Sequence, residues 1–302
     1  MPGELSALLA TVCYALSNMF LRRGQEKTLP SDNGLFPILA IGGIILTVNL
    51  IFDGIDDPAP LLIGEGWVKN VFFCMSAGIV GTFLGRLALY AAIRRIGAIR
   101  GIIFIAMAPV VTLMIAISVL GERLSLLDVI GIALLASGIA ILVVEGIAYS
   151  DRNMFSKVVR SGTVVAVVAT LCQGIGYSFR KLGSGIPIDP IFAAALDTLA
   201  ALFGYILVLV MMGKLRFYIQ YYLTHINLWL VASGFLNAAA VFLFFEAVSE
   251  TNVSVVSMIT GSQPVVIALL CGVFMRDLER LTRFTIMSSI FVTLGVVMLG
   301  LK

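Results

Sequence analysis

Two apolar runs meet in the stretch Ala98–Val143, which reads AIRGIIFIAMAPVVTLMIAISVLGERLSLLDVIGIALLASGIAILV. Only Gly121–Ser125 separates the run Ala98–Leu120 from the run Leu126–Val144. Each run is long enough for a bilayer core of about 30 Å, which needs about 20 helical residues. Pro109 stands in the middle of the first run and removes one backbone donor. Hydrocarbon tolerates this only where neighbouring groups or a water-filled cavity satisfy the backbone. The stretch therefore predicts two membrane helices, the first with a polar weak point at mid-depth.

The same pattern occurs a second time in the C-terminal half of the chain. Pro264-Val265-Val266 repeats Pro109-Val110-Val111 after 155 residues. Near the start of each half, the segment ATVC at 10–13 is matched by ATLC at 169–172. Self-similarity at a fixed offset is typical of an internal structural repeat. The sequence therefore predicts two copies of one unit.

Composition places the chain in the membrane. Apolar residues make up 60% of it and charged residues 12%, against about 45–50% and about 25% in a soluble domain. The net charge of +3 is spread over loops, so we expect no nucleic-acid partner. The four cysteines lie in separate apolar runs, which favours neither a disulfide framework nor a metal site. We predict an all-α, multi-pass integral protein of the cell or inner membrane.

Ten membrane spans are predicted, and the one polar connection at the halfway point, residues 146–160, is taken as the boundary between the two units. We expect a first five-helix repeat at 1–148, an inter-repeat loop at 149–160 and a second five-helix repeat at 161–302. An odd number of spans returns the chain to the other side, so the repeats are inverted, with the binding site near mid-membrane between them. The predicted spans are 4–22, 35–52, 68–93, 98–120, 125–145, 161–180, 190–212, 226–249, 252–275 and 281–301.

These features resemble the EamA-type transporters of the drug/metabolite transporter superfamily. The resemblance rests on the proline-bearing fourth span, the turn Gly121–Ser125, and a fifth span with Gly131 and Gly138. The turn at 275–279 reads MRDLE, so the second half matches the pattern less well. The resemblance implies a secondary transporter or exporter of small metabolites. It leaves the substrate open, because the superfamily carries amino acids, sugars, nucleotide sugars and drugs.

Two indications of membrane orientation disagree. Of the 20 lysines and arginines, 14 lie in odd-numbered connections, and the positive-inside rule then places both termini outside the cell. Proteins of the family that the chain resembles usually have both termini in the cytoplasm. The charge count favours external termini, and both orientations stay open.

No catalytic constellation is present, and we expect neither an enzyme nor a cofactor. The single histidine, His225, lies in a predicted loop, and no carboxylate pair or nucleophile motif accompanies it. The Gly-x-Gly fragments fall inside membrane spans and do not follow a strand, as a dinucleotide site requires. They favour close helix packing instead.

Ionisable residues inside the spans are candidates for function, because burying them in a membrane costs a few kcal/mol. Arg86 lies roughly 10 Å deep and Asp197 about 9 Å deep, at 1.5 Å per residue. Arg86 could contact substrate, reach the surface or form a structural pair. Asp197 and Glu246 are candidate proton or cation sites, although Asp197 could instead form a structural pair with Arg180. Arg86 and Asp197 enter from opposite faces, so we expect no direct bond between them.

Uncharged polar residues cluster at mid-depth in several spans and suggest a binding site. The alternative is ordinary hydrogen bonding between helices, worth about 0.6 kcal/mol on average. Spans 5 and 10 have almost no such residues, which predicts a peripheral position for both. Together with Arg86, the predicted substrate-binding residues are Tyr14, Asn18, Thr82, Gln173, Tyr177, Asn237 and Gln263. Pro109 and Pro264 are predicted to be helix breaks beside this site.

The favoured interpretation is a carrier that moves a small polar or amphipathic metabolite, such as an amino acid, by alternating access. Its expected partners are that substrate, the lipid bilayer and a coupling proton or cation; a monomer is plausible and the oligomeric state stays open. Multidrug efflux of lipophilic cations is the second interpretation, although the first span offers only Ser17 and Asn18 where such exporters carry a carboxylate. A membrane scaffold without transport activity is the third.

Overall fold

A computed structural model gives the structure of residues 3–29, 32–56, 67–120, 126–148, 155–183, 189–250, 256, 259–274 and 282–300. Helices and short turns account for all of these ranges. The helices are α1 (Gly3–Gln25), α2 (Leu35–Asp56), α3 (Trp67–Ile96), α4 (Ala98–Ile105), α5 (Ala108–Leu120), α6 (Leu126–Ala148), α7 (Phe155–Gly183), α8 (Pro190–Met211), α9 (Leu215–Thr224), α10 (Leu228–Glu250), α11 (Gln263–Phe274) and α12 (Arg283–Gly300).

Six helices are long and apolar enough to cross a membrane, namely α1, α2, α3, α7, α8 and α10. Shorter apolar helices occupy the other predicted spans within the described residues, so the count of ten spans stays a prediction. Residues 155–160 were expected in a loop but form the first turns of α7. The turns at 121–125 and 275–279 lie outside the described residues.

Both proline-bearing spans are broken helices, and each is interrupted by a turn just before its proline. The fourth span divides into α4 and α5 around a turn at Ala106-Met107, and Pro109 is the second residue of α5. In the ninth span a turn at Ser262 precedes α11, in which Pro264 is again the second residue. Proline is tolerated in the first turn of a helix because the N–H groups there have no helical acceptor.

The segment between α8 and α10, predicted as a loop, contains the short amphipathic helix α9. Its inner face carries Tyr218 and Tyr222, whose rings lie 6.2 and 6.3 Å from the ring of Phe36. Its outer face exposes Phe217 and Leu223. Such a helix lies along the membrane surface with its apolar residues in the headgroup region.

Helix packing follows the internal repeat. α1 packs against α10 and α11, and its counterpart α7 packs against α3 and α5. α2 contacts α10, while its counterpart α8 contacts α3. Each contact therefore recurs when the helices of one half are exchanged for those of the other. α6 and α12 pack mainly against one another, at the periphery predicted for spans 5 and 10.

Small residues bring the long helices close together. Where α1 crosses α10, the hydroxyls of Ser17 and Ser233 each donate to the other's main-chain carbonyl, at 2.9 and 2.8 Å. Where α3 crosses α7, a Cβ on Gly81 would lie 3.0 Å from the Cα of Gly176. The two crossings are equivalent in the repeat. They bring the helices of each pair, α1 with α10 and α3 with α7, close together, and a cavity is left between the two pairs.

Candidate functional site

A small cavity lies where α1, α3, α7 and α10 meet the two broken spans, the first of which contains α4. Its volume is about 50 Å³, room for a few water molecules. Ten of its seventeen lining residues carry polar side-chain atoms, and both prolines are among the other seven. The lining residues are Tyr14, Asn18, Arg86, Leu89, Tyr90, Ile102, Ile105, Ala106, Pro109, Gln173, Tyr177, Arg180, Asn237, Thr260, Gly261, Gln263 and Pro264.

Arg86 is the charged group at the centre of this cavity. It follows a π-helical segment, Gly78–Gly85, and lies ten residues before the end of α3 at Ile96, a depth of about 15 Å at 1.5 Å per residue. Its guanidinium donates to Oδ1 of Asn237 and lies 5.6 Å from the ring centre of Tyr14. Only 5% of Arg86 is exposed, so the charge is well removed from solvent.

Asn237 presents a second donor beside Arg86. Because an arginine only donates hydrogen bonds, the amide oxygen must face Arg86 and the amide nitrogen must point away from it. Nδ2 of Asn237 is buried and has no hydrogen-bond partner among the described residues. Arg86 and Asn237 therefore both contribute N–H donors to the cavity lining.

Asp197 is bound to Arg180, as the structural alternative anticipated. Nε of Arg180 donates to Oδ1 of Asp197 at 3.0 Å, and Nη2 donates to Oδ2 at 3.2 Å. The hydroxyl of Thr82 donates to Oδ2 at 2.5 Å and accepts from Nη2 of Arg180 at 2.7 Å. Asp197 is completely buried. This ion pair with its bridging hydroxyl ties α3, α7 and α8 together.

Arg180 is a cavity residue that stood at the last position of the predicted span 161–180. α7 continues to Gly183, and Arg180 is only 3% exposed. Its guanidinium lies 5.4–5.7 Å from the ring centres of Tyr177, Phe244 and Phe245, in favourable cation–π distance. The repeat contained a signal for this longer helix, because Gly183 matches Gly24 and the matching helix α1 runs to Gln25.

The cavity region has more positive than negative charge. Arg180 is neutralised by Asp197. Arg86 contacts the neutral Asn237 and the ring of Tyr14, and no carboxylate in the described part of the chain forms an ion pair with it. Every other polar residue of the lining is uncharged. An anion is therefore better matched to this cavity than a cation.

The structure brings most of the predicted binding residues together. Seven of the eight line the cavity, and Thr82 is the exception. Thr82 lies within the π-helical segment Gly78–Gly85 and bonds to Asp197 and Arg180. π-Helical turns are rare in proteins, and those that occur are often found at functional sites. Asp197 and Glu246 lie outside the lining. The roles of all these residues stay predictions.

Metal binding finds no support in the side chains. Among the described residues, no three His, Cys, Asp or Glu side chains come together to hold a metal ion. The cavity itself contains amides, tyrosines and arginines, which suit an organic or inorganic anion better than a cation.

The two helix breaks share one hydrogen-bonding pattern. At the first break Met107 N–H donates to Phe104 at 3.1 Å, and at the second Ser262 N–H donates to Ile259 at 3.1 Å. A threonine from the opposite half reaches each break. The hydroxyl of Thr170 lies 2.8 Å from the Phe104 carbonyl, and that of Thr11 lies 3.2 Å from the Ile259 carbonyl.

The threonine contacts are equivalent in position but unequal in length. Each hydroxyl also lies within reach of a carbonyl of its own helix, at 2.9 Å for Thr170 and 2.8 Å for Thr11. A hydroxyl has one proton, and the distances favour the intrahelical bond for Thr11, whereas the two carbonyls are almost equally near for Thr170. The two halves therefore differ in their threonine contacts, although the repeat places the two helix breaks at equivalent positions.

Comparison with known proteins identifies the class. The model of the EamA-like transporter family matches residues 1–144 and 160–301, and the chain therefore belongs to this family of multi-pass integral membrane transporters. A solved structure described as "Crystal structure of protein" has the same fold, with a TM-score of 0.62, 15% identity, and coverage of 97% of this chain and 95% of that one. No curated protein sequence matches the chain.

Proposed function

We propose that the protein carries a small organic anion across the membrane through the central cavity by alternating access. The observation that supports this most strongly is Arg86, a buried cation at mid-depth that contacts a neutral amide. A buried charge is costly unless it is paired. An anionic substrate would supply the missing charge, with Asn237 donating a second hydrogen bond. The tyrosines of the lining would accommodate its apolar part.

The positive charge of the cavity separates the candidate substrates. A monoanion would neutralise Arg86, whereas a zwitterionic amino acid would also require a partner for its ammonium group. Tyr14, Tyr177 and Gln263 offer only uncharged groups for that purpose. Lipophilic cations, the second interpretation, would be repelled by Arg86 and Arg180. We therefore rank monoanions first, zwitterions second and cations last.

The broken spans provide the moving parts of the proposed cycle. Pro109 and Pro264 cannot donate to the carbonyls of Ile105 and Thr260, four residues earlier, so each helix can change direction there at low cost. All four residues line the cavity. If the two inverted repeats have different conformations, the cavity opens to one side of the membrane. When the repeats exchange these conformations, the cavity opens to the other side. The unequal threonine contacts support such a difference.

Two further parts of the proposal concern organisation and coupling. We propose repeats at 1–148 and 161–302, related by inversion, with the connection at 149–160 between them. Asp197 and Glu246 are the proposed sites for a coupling proton. Asp197 could be a coupling site or a structural partner of Arg180. Its bonds to Arg180 and Thr82 favour the structural role.

A ligand panel of matched shape and different charge tests the proposal. Purified protein would be heated with a carboxylate, the corresponding neutral amide and the corresponding amine. A ligand that binds only the folded state stabilises it by about 2.7 kcal/mol at 100 times its dissociation constant. We expect the carboxylate alone to raise the melting temperature, and Arg86→Gln to remove this effect. Arg216→Gln, which changes an exposed arginine of α9, is the control.

A cation or amine that stabilises the protein more than the matched carboxylate would contradict the proposed substrate class. Stabilisation of Arg86→Gln equal to that of wild type would remove Arg86 from the binding site. In that case the anion would have to bind through Arg180, and Arg180→Gln would lose the effect instead.

A further inference from the structure

A second and larger cavity lies near one membrane surface, between the C-terminal end of α3 and the beginning of α9. Its volume is about 340 Å³. It is separate from the central cavity, since the two share no lining residue. The connections that form it follow α1, α3 and α8, which places them on the odd-numbered face where positive charge is concentrated.

Three cations surround this surface cavity. Arg94 and Arg95 come from the last turn of α3, and Lys214 precedes α9. Like charges gathered in one cavity repel one another unless an anion lies between them. Arg95 and Lys214 are exposed, so both can move to meet a ligand.

Asp32 is the only acidic residue of this lining, and its carboxylate is already bonded. Tyr222 and the main-chain N–H of Gly34 donate to the carboxylate, while Arg94 donates to the Asp32 main-chain carbonyl. Burial raises the pKa of Asp32, against the effects of the Tyr222 hydrogen bond, the Gly34 hydrogen bond and the charge of Arg94. Even when Asp32 is ionised, the positive charge of the three cations exceeds the negative charge in this lining.

One wall of the surface cavity is apolar and continues onto the lipid-facing side of α8. Val208, Leu209 and Met212 form this wall, and 80% of Met211 and 56% of Met212 are exposed. The cavity thus combines a cationic pocket at the membrane surface with an adjoining apolar surface along the bilayer.

We propose that this surface cavity binds the phosphate group of an anionic ligand. Guanidinium groups bind phosphate through paired, charge-assisted hydrogen bonds, and lysine adds a point charge. The ligand could be an anionic phospholipid or a soluble phosphate. The apolar wall of α8 favours the phospholipid, because its acyl chains would cover Met211 and Met212 while the headgroup enters the cavity. Basic pockets at helix ends commonly hold such headgroups.

The two sources of phosphate are distinguished with the purified full-length chain. In one arm, the protein is placed in nanodiscs of phosphatidylcholine with or without phosphatidylglycerol, and lipids that stay bound after extraction are counted by native mass spectrometry. In the other arm, inorganic phosphate is titrated at constant ionic strength in detergent micelles and the melting temperature is recorded.

Lys214→Gln and Arg95→Gln are the test variants, and Arg216→Gln is the matched control, because Arg216 is also exposed at the start of α9 and lies outside the lining. Removing one cation near the membrane surface should weaken the preference for phosphatidylglycerol about fivefold. All three variants should melt as wild type in phosphatidylcholine.

Selective retention of phosphatidylglycerol, reduced by Lys214→Gln and not by Arg216→Gln, would support a lipid site. A response to inorganic phosphate with the same dependence on Lys214 would support a soluble phosphate ligand. Absence of both effects, or equal loss in Lys214→Gln and Arg216→Gln, would overturn the proposal.

Discussion

Neutralising Asp197 should destabilise the protein, because it leaves Arg180 buried without its counterion. Asp197 is completely buried, Arg180 is 3% exposed, and two hydrogen bonds of 3.0 and 3.2 Å join them. Removing one partner of a buried ion pair costs about 3–5 kcal/mol. We expect Asp197→Asn to lower the free energy of unfolding by this amount, and Arg180→Gln to have a similar effect. Thr82→Val should cost about 1–3 kcal/mol through the lost bridging hydroxyl.

A double-mutant cycle separates an ion pair from two independent contributions. The cycle compares Asp197→Leu, Arg180→Met and their combination, and the combination replaces the pair by apolar groups, which is often neutral or stabilising. The double variant should therefore unfold closer to wild type than either single variant, with an interaction energy above about 2 kcal/mol. Unfolding in mixed micelles, followed by circular dichroism, measures these free energies. The control is Asp189→Asn at the N-cap of α8, which should leave stability close to wild type because asparagine caps a helix about as well as aspartate.

Additive losses in the cycle would refute the ion-pair reasoning. Wild-type stability of Asp197→Asn together with abolished or uncoupled transport would refute it more strongly. That outcome would show that the carboxylate is kept for proton coupling, as the sequence first suggested.

Two further predictions concern orientation and hinge motion. If the positive-inside rule governs, cysteines introduced near Lys157 and Lys214 will be protected from an impermeant thiol reagent in intact cells. A cysteine introduced at Asp56 will be labelled. The reverse pattern would place both termini in the cytoplasm. Pro109→Ala and Pro264→Ala each supply a backbone N–H that a continuous helix could use and the broken span does not need. They should therefore favour a straight span, hold or slightly raise stability, and slow transport more than they weaken binding. The double replacement should transport more slowly than either single variant. Wild-type transport rates in both single variants would show that the helix breaks serve packing and not hinge motion.

The positions of the helix breaks and of most cavity-lining polar residues could be predicted because the membrane leaves few ways to accommodate polar groups. A polar side chain at mid-depth needs a partner or a cavity, and a proline needs a break or a satisfied carbonyl. These two constraints were enough to select Asn18, Arg86 and Gln173 together with both prolines. The sequence could not show that each span divides into separate helices, since the period of apolar residues continues through the break.

Other features depend on packing that one sequence does not reveal. Thr82 lies in the π-helical segment Gly78–Gly85 and bonds to Asp197, whereas Arg86, four residues later, bonds to Asn237. The pattern of apolar residues did not indicate this π-helical segment. Arg180 stood at a predicted helix end, and only its contact with Asp197 explains its burial. α9 has ten residues, too few for a membrane span, and its amphipathic character becomes clear only from its contact with Phe36.

Uptake by proteoliposomes at controlled membrane potential tests the proposed transport of an anion most directly. Wild-type protein should transport a carboxylate monoanion, moving negative charge unless a proton accompanies it, and should not transport the matched amine. Arg86→Gln should lower carboxylate uptake by about 100-fold, the loss of about 3 kcal/mol expected for a charge-assisted hydrogen bond, while Arg86→Lys keeps part of it. Wild-type uptake by Arg86→Gln, or faster transport of the amine than of the carboxylate, would contradict the proposal.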